Sequence, residues 1–140
     1  MSVIRRLILG LWTGLLVAQI GFFVPVLFQT LTEPGQAARV AGQGFVGISY
    51  VSLVAGVVVF LLRTKAVTGR GFEARWAIGP GLMMVLAHVG LHPLMEATKH
   101  AGVQGAPGPA FLALHAASGL IYVLATVAVA ALWVRDERRA

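Results

Sequence analysis

The sequence predicts an all-α integral membrane protein: a four-helix bundle of antiparallel, up-and-down topology, one domain over residues 1–140, with both termini cytoplasmic. Three observations carry this reading. The chain is 58% hydrophobic and only 11% charged, where a soluble domain carries roughly a quarter charged residues. Four apolar runs, Leu7–Leu31, Val40–Leu62, Trp76–Met95 and Pro109–Val134, contain no Asp, Glu, Lys or Arg, and a bilayer core takes about 20 such residues per helix. The basic residues fall almost entirely on one side of those runs. Every backbone group in hydrocarbon must be paired internally, so each run should be a helix.

The first run, in "MSVIRRLILGLWTGLLVAQIGFFVPVLF", is longer than the apolar region of a signal peptide and lacks a clear small-x-small cleavage site. It reads as a retained helix, which Pro25 should kink. The connection "TEPGQAARVAGQG" contains the turn signature Glu33-Pro34-Gly35 and leads into the second run. The polar segment "RTKAVTGRGFEAR" joins the second run to the third, which Pro80 should also kink. "EATKHAGVQGAPGP", from Glu96 to Pro109, is the longest connection, and its Gly and Pro content predicts an irregular segment.

The net charge of +6 invites a nucleic-acid reading, but its distribution excludes one. Arg5 and Arg6 precede the first run, Arg63, Lys65, Arg70 and Arg75 lie between the second and third, and Arg135, Arg138 and Arg139 follow the fourth. Only Arg39 and Lys99 fall on the other side. This is the positive-inside asymmetry that sets orientation, with some of these cations placed to touch anionic headgroups. The chain has no cysteine, which excludes disulfides, thiolate metal sites and thiol catalysis.

Small residues are dense. Gly10 and Gly14 form a GxxxG in the first run, where close helix crossing is expected, so Gly14→Leu should overpack the bundle or a dimer. "GQGFVG", Gly42–Gly47, is a literal GxGxxG, but no strand precedes it and it lies in a membrane helix, so it is not a dinucleotide fingerprint. Trp12, Trp76 and Trp133 fall toward the cytoplasmic ends, where an aromatic belt belongs.

The residues with chemistry are few. His88 and His92 in "LAHVGLHPL" lie one helical turn apart, and His115 in "FLALHAASGL" reaches similar depth on the next helix. Consecutive elements are usually neighbours, so the three are candidate Zn or Cu ligands, with Met95 as a soft fourth for Cu(I). His88 and His115 are a candidate haem pair. A proton relay is a further reading. Against these stands helix packing by hydrogen bonds, which is favoured because no carboxylate accompanies the histidines. Gln19, near mid-membrane, should find a partner on another helix, and His115, Ser118 and Tyr122 form one stripe suited to a polar helix contact. Ser118 beside a histidine lacks an acid to orient the pair, so the reading leans away from an enzyme.

The segments "FFVPVLFQTL", "AARVAGQGF", "GLHPLM" and "FLALHAASGLIYVL", in this order, resemble the transmembrane protein 205-like group, also called domain of unknown function 4149. The resemblance implies a small four-helix membrane protein, with Pro25, Phe28, His115 and Ser118 at family positions, and implies no reaction. The favoured function is a non-enzymatic structural, accessory or partner-binding membrane protein, without a cofactor. Its expected partners are the bilayer, a second copy or another membrane protein, and no nucleic acid. The first alternative is a haem-, Cu- or Zn-binding protein using His88, His92 and His115 near the periplasmic face. The second is a small transporter or channel subunit. Ala-, Gly-, Val- and Arg-rich usage goes with a GC-rich bacterial genome, so the expected location is the bacterial inner membrane.

Overall fold

The computed structural model describes residues 2–64, 71–99 and 108–137. Expectations for Lys65, Arg70, Arg138, Arg139 and the 100–107 part of the longest connection fall outside the described residues. Within them all regular structure is helical: α1 (Ser2–Ala18), a π-helical turn (Gln19–Phe23), α2 (Val24–Thr30), α3 (Pro34–Thr64), α4 (Gly71–Thr98) and α5 (Pro109–Glu137). Four stretches are long and apolar enough to cross a membrane: Val3–Thr30, Gln36–Leu62, Trp76–Thr98 and Pro109–Asp136. The 18-residue windows that qualify them have mean hydropathies of 2.1, 2.5, 1.4 and 2.1. The third is the least apolar because it carries both His88 and His92.

Each helix boundary has a local cause. Pro25 has no N–H to give to the carbonyl one turn back, and its ring crowds that carbonyl. The chain answers with a wider turn, in which the Val24 N–H bonds the Gln19 carbonyl five residues back. The expected kink at Pro25 is thus a π-bulge. α2 ends at Leu31, which turns extended (φ −87°, ψ 126°) while its N–H still bonds Leu27. Pro34 does not prolong the connection, as its turn signature suggested. It opens α3, where a missing N–H is harmless, and the Gln36 and Ala37 N–H groups bond the Glu33 carbonyl. Pro109 opens α5 in the same way, with Leu112 bonding Gly108. α4 runs as α-helix through Pro80 and Pro93.

α1 packs on α5 and α3, α3 on α4, and α4 on α5, which closes a ring of four spans. The core is Leu9, Trp12 and Leu16 from α1, Ile48 and Val59 from α3, Ala77 and Met84 from α4, and Tyr122, Ala125, Val129 and Leu132 from α5. The 3-4-3 spacing of the α5 set gives a single seam facing inward. Outward faces carry Leu11, Val54, Leu86, Leu112, Leu120 and Val127, all exposed. So much apolar surface suits hydrocarbon rather than water.

The close helix crossing lies between α3 and α4. A Cβ on Gly81 would sit 2.6 Å from Leu53 Cα and from the Ser52 carbonyl oxygen, and one on Gly56 would sit 2.5 Å from the Ala77 carbonyl oxygen. The GxxxG of α1 plays no such part. Gly14 has nothing within 4 Å of a Cβ, and a Cβ on Gly10 would touch only the Trp133 ring at 3.5 Å. The expectation that Gly14→Leu overpacks the bundle is therefore corrected: Gly14 is exposed on the outer face.

Gly81→Ala should force the α3 and α4 backbones apart and destabilise the bundle by about 1–3 kcal/mol, as overpacking does. Gly14→Leu should leave it unchanged. Unfolding of both variants in a mixed detergent series checks the contrast; equal losses would contradict it.

Candidate functional site

Polar groups buried within spans are functional candidates by default, and two sets stand out. The first is a hydroxyl network at the centre. Ser49 and Ser52 lie on one face of α3, three residues apart, and both are fully buried. The Trp12 indole N–H of α1 donates to Ser52 Oγ at 2.9 Å. The Ser49 and Tyr122 hydroxyls are 2.6 Å apart, linking α3 to α5. The Phe45 carbonyl oxygen lies within reach of both, 2.7 Å from Ser49 Oγ and 3.2 Å from the Tyr122 hydroxyl, so the two hydroxyl protons are shared among three contacts. The rings of Phe45 and Tyr122 meet edge-on, 4.7 Å between centroids.

Trp12 is therefore no belt residue. It is 3% exposed, against 56% for Trp76 and 37% for Trp133, because its N–H has a buried acceptor. Tyr122 reaches across from α5 to Ser49 of α3. Ser118 is half-buried, and His115 is exposed. Sequence reading missed Trp12, Ser49 and Ser52 as a set. Their signal was the series Phe45, Ser49, Ser52, Gly56, whose 4-3-4 spacing lines one helix face.

Gln19 opens the π-helical turn. Its Nε2 fills the space over Gly44 beside Phe23, and it is buried without a hydrogen-bond partner. The amide packs against Gly44 of α3.

The second set is the histidines. His88 and His92 are paired along α4, with ring centroids 5.0 Å apart. His115 of α5 stacks instead on Phe111, at 5.9 Å and nearly parallel. His88 is half-buried, while His92 and His115 are exposed. Among the described residues no group of three His, Cys, Asp or Glu side chains is gathered to hold a metal. Chemically, α4 offers two neighbouring imidazoles. The buried serines bond an indole and a phenol rather than a base, which is packing chemistry and not an activated nucleophile.

A third feature lies at the chain's two ends. Arg5 Nε donates to Asp136 Oδ2 at 3.0 Å, and a second guanidinium nitrogen reaches Oδ1 at 2.5 Å. The start of α1 and the end of α5 are thus clasped by a two-point ion pair.

Four long apolar helices around a polar seam define a polytopic membrane protein with a four-helix bundle. The chain belongs to the DUF4149 family, a domain of unknown function, to which residues 7–104 match. That stretch carries Trp12, Gln19, Ser49, Ser52, His88 and His92, and ends before His115, Ser118 and Tyr122. The transmembrane protein 205-like label stays a resemblance of motifs. No curated protein and no solved structure matches the chain.

Two substitutions test the polar seam. Tyr122→Phe leaves Ser49 its Phe45 acceptor, so thermal stability in detergent should fall by only about 1 kcal/mol, the net worth of one hydrogen bond. Gln19→Met removes a buried donor that has no acceptor, so it should be neutral or stabilising. A clear loss on Gln19→Met would mean that the amide has a partner in the membrane.

Proposed function

We propose that this protein is a non-enzymatic accessory protein of the bacterial inner membrane, which binds another transmembrane protein or a second copy through the outer face of α4 and α5. One observation carries the reading: His92 and His115 lie within membrane-spanning stretches yet face outward from the bundle. An imidazole turned to lipid is costly, and a protein neighbour with hydrogen-bonding groups relieves that cost. The apolar side chains beside them, Val89 and Leu112, are exposed as well. The spans run antiparallel, up and down, with both termini cytoplasmic. The clasp of Arg5 to Asp136 and the clustering of Arg and Lys at that end support this orientation. The transporter reading has less support, because the central polar groups are bonded to one another.

A second reading rests on the 5.0 Å pairing of His88 and His92: two imidazoles one turn apart supply two of the ligands of a Cu or Zn site, or one axial ligand of a haem.

A photo-crosslinking residue at Val89 or Leu112, in cells, should give a discrete protein adduct, weakened by His92→Leu/His115→Leu. The same residue at the exposed Val54 of α3 should give none. Lipid adducts alone at all three positions would sink the proposal. Metal analysis and an absorbance spectrum of the purified protein decide the second reading. Near-stoichiometric Cu or Zn, or a Soret band, lost in His88→Ala, would favour it over the first.

A further inference from the structure

At the end opposite the histidines, α1 and α5 leave an open groove of about 460 Å³, within the size range of ligand pockets. Val3, Leu7 and Leu11 make its apolar wall, Gly10 and Trp133 line it between the helices, and Arg6 lines it at the end of the span. The Trp133 ring lies beside α1 at Gly10, where a Cβ would meet it at an ordinary contact distance of 3.5 Å.

Arg6 is the unusual member. Its neighbour Arg5 engages both carboxylate oxygens of Asp136. Arg6 Nε comes only to 4.0 Å from Oδ2, beyond hydrogen-bond reach, and is buried without a partner. A permanently charged guanidinium, on a side chain still 26% exposed, thus lines a concave apolar wall, while its buried Nε makes no hydrogen bond. Leaving such a donor buried and unpaired is costly.

The geometry points to a specific site for an anionic phospholipid, with its phosphate on Arg6 and an acyl chain along Leu7 and Leu11. A guanidinium recognises phosphate through paired N–H donors, and Trp133 provides the amphipathic ring that suits headgroup depth. A free phosphate would leave the apolar wall unused, and a zwitterionic lipid brings no net charge to a cluster in which Arg5 already binds the carboxylate.

Native mass spectrometry of the full chain, released from detergent with phosphatidylglycerol or phosphatidylethanolamine, tests this. Phosphatidylglycerol should be retained preferentially as a one-lipid adduct. Arg6→Gln should lower that occupancy roughly tenfold, as expected for loss of one charge-assisted contact. Arg135→Gln, which removes the same charge from an exposed position at the same end, should leave it unchanged. Leu11→Trp keeps every charge, alters an exposed position and fills the groove, so it should also lose the adduct; it serves alone if Arg6→Gln does not fold. Equal losses with Arg6→Gln and Arg135→Gln would reduce the effect to diffuse charge and overturn the site. So would equal retention of the two lipids, an unaffected Leu11→Trp, or equal thermal protection by inorganic phosphate.

Discussion

The arrangement of the bundle depends on the point where α3 and α4 bring their backbones together. Gly56 lies against the Ala77 carbonyl and Gly81 against Ser52 and Leu53, so neither position tolerates a Cβ without movement of main chain. Lipid tails are as apolar as leucine, so burial alone does not drive helices together in a membrane; close approach and polar contacts do. Where α4 is held this near, α3 presents the small residues Ser52 and Gly56, with Ser49 one turn before them. The serine hydroxyls are short and lie deep in the bundle. Only long aromatic side chains with a polar tip reach them from other helices, and Trp12 and Tyr122 do so. The small residues of α3 at this crossing and the polar-tipped rings of Trp12 and Tyr122 act together.

The two ends of the bundle use polar groups differently. At the end holding Arg5 and Asp136, opposite charges close the ring of helices by joining its first to its last. The Asp136 side chain is 4% exposed, a burial that only a paired carboxylate accommodates. At the end holding His92 and His115, ionisable rings sit on the outside, one paired along its own helix and one stacked on a phenylalanine. The first end is spent on holding the fold, apart from the unused donor of Arg6. The second contributes little to the core, and its groups are open to a neighbour.

The four spans were legible because apolar length and the exclusion of charge are properties of composition. Which face each residue takes was not. Gly10 and Gly14 have the spacing of a crossing, but spacing does not say toward which neighbour a face turns, and Gly14 turns outward. Trp12 reads as an interfacial residue by position, since nothing local reveals that an acceptor 40 residues away waits for its N–H. Arg5 and Asp136 are 131 residues apart, and charges flanking spans look like topology signals whether or not they meet. The histidines share a similar depth in the sequence. Depth along a helix leaves its rotation free, and rotation separates the ring of His115 from the pair on α4.

Pro25 shows how a motif residue acts through the backbone. Its missing N–H produces the π-helical turn, and that turn inserts one residue into the helical phase, rotating all that precedes it relative to α2 by about a quarter turn. Gln19 opens the turn, and the altered phase lays its amide over Gly44, the residue before Phe45. The Phe45 carbonyl is already engaged by the seam hydroxyls, and the Gln19 amide nitrogen has no partner there. Gly44 has no side chain to exclude it. Proline, bulge, glycine and unpaired amide form one causal series. Its outcome is a polar donor beside the seam that packing alone does not explain, on the side of the molecule where the phenol of Tyr122 and the Phe45 carbonyl already share their bonds.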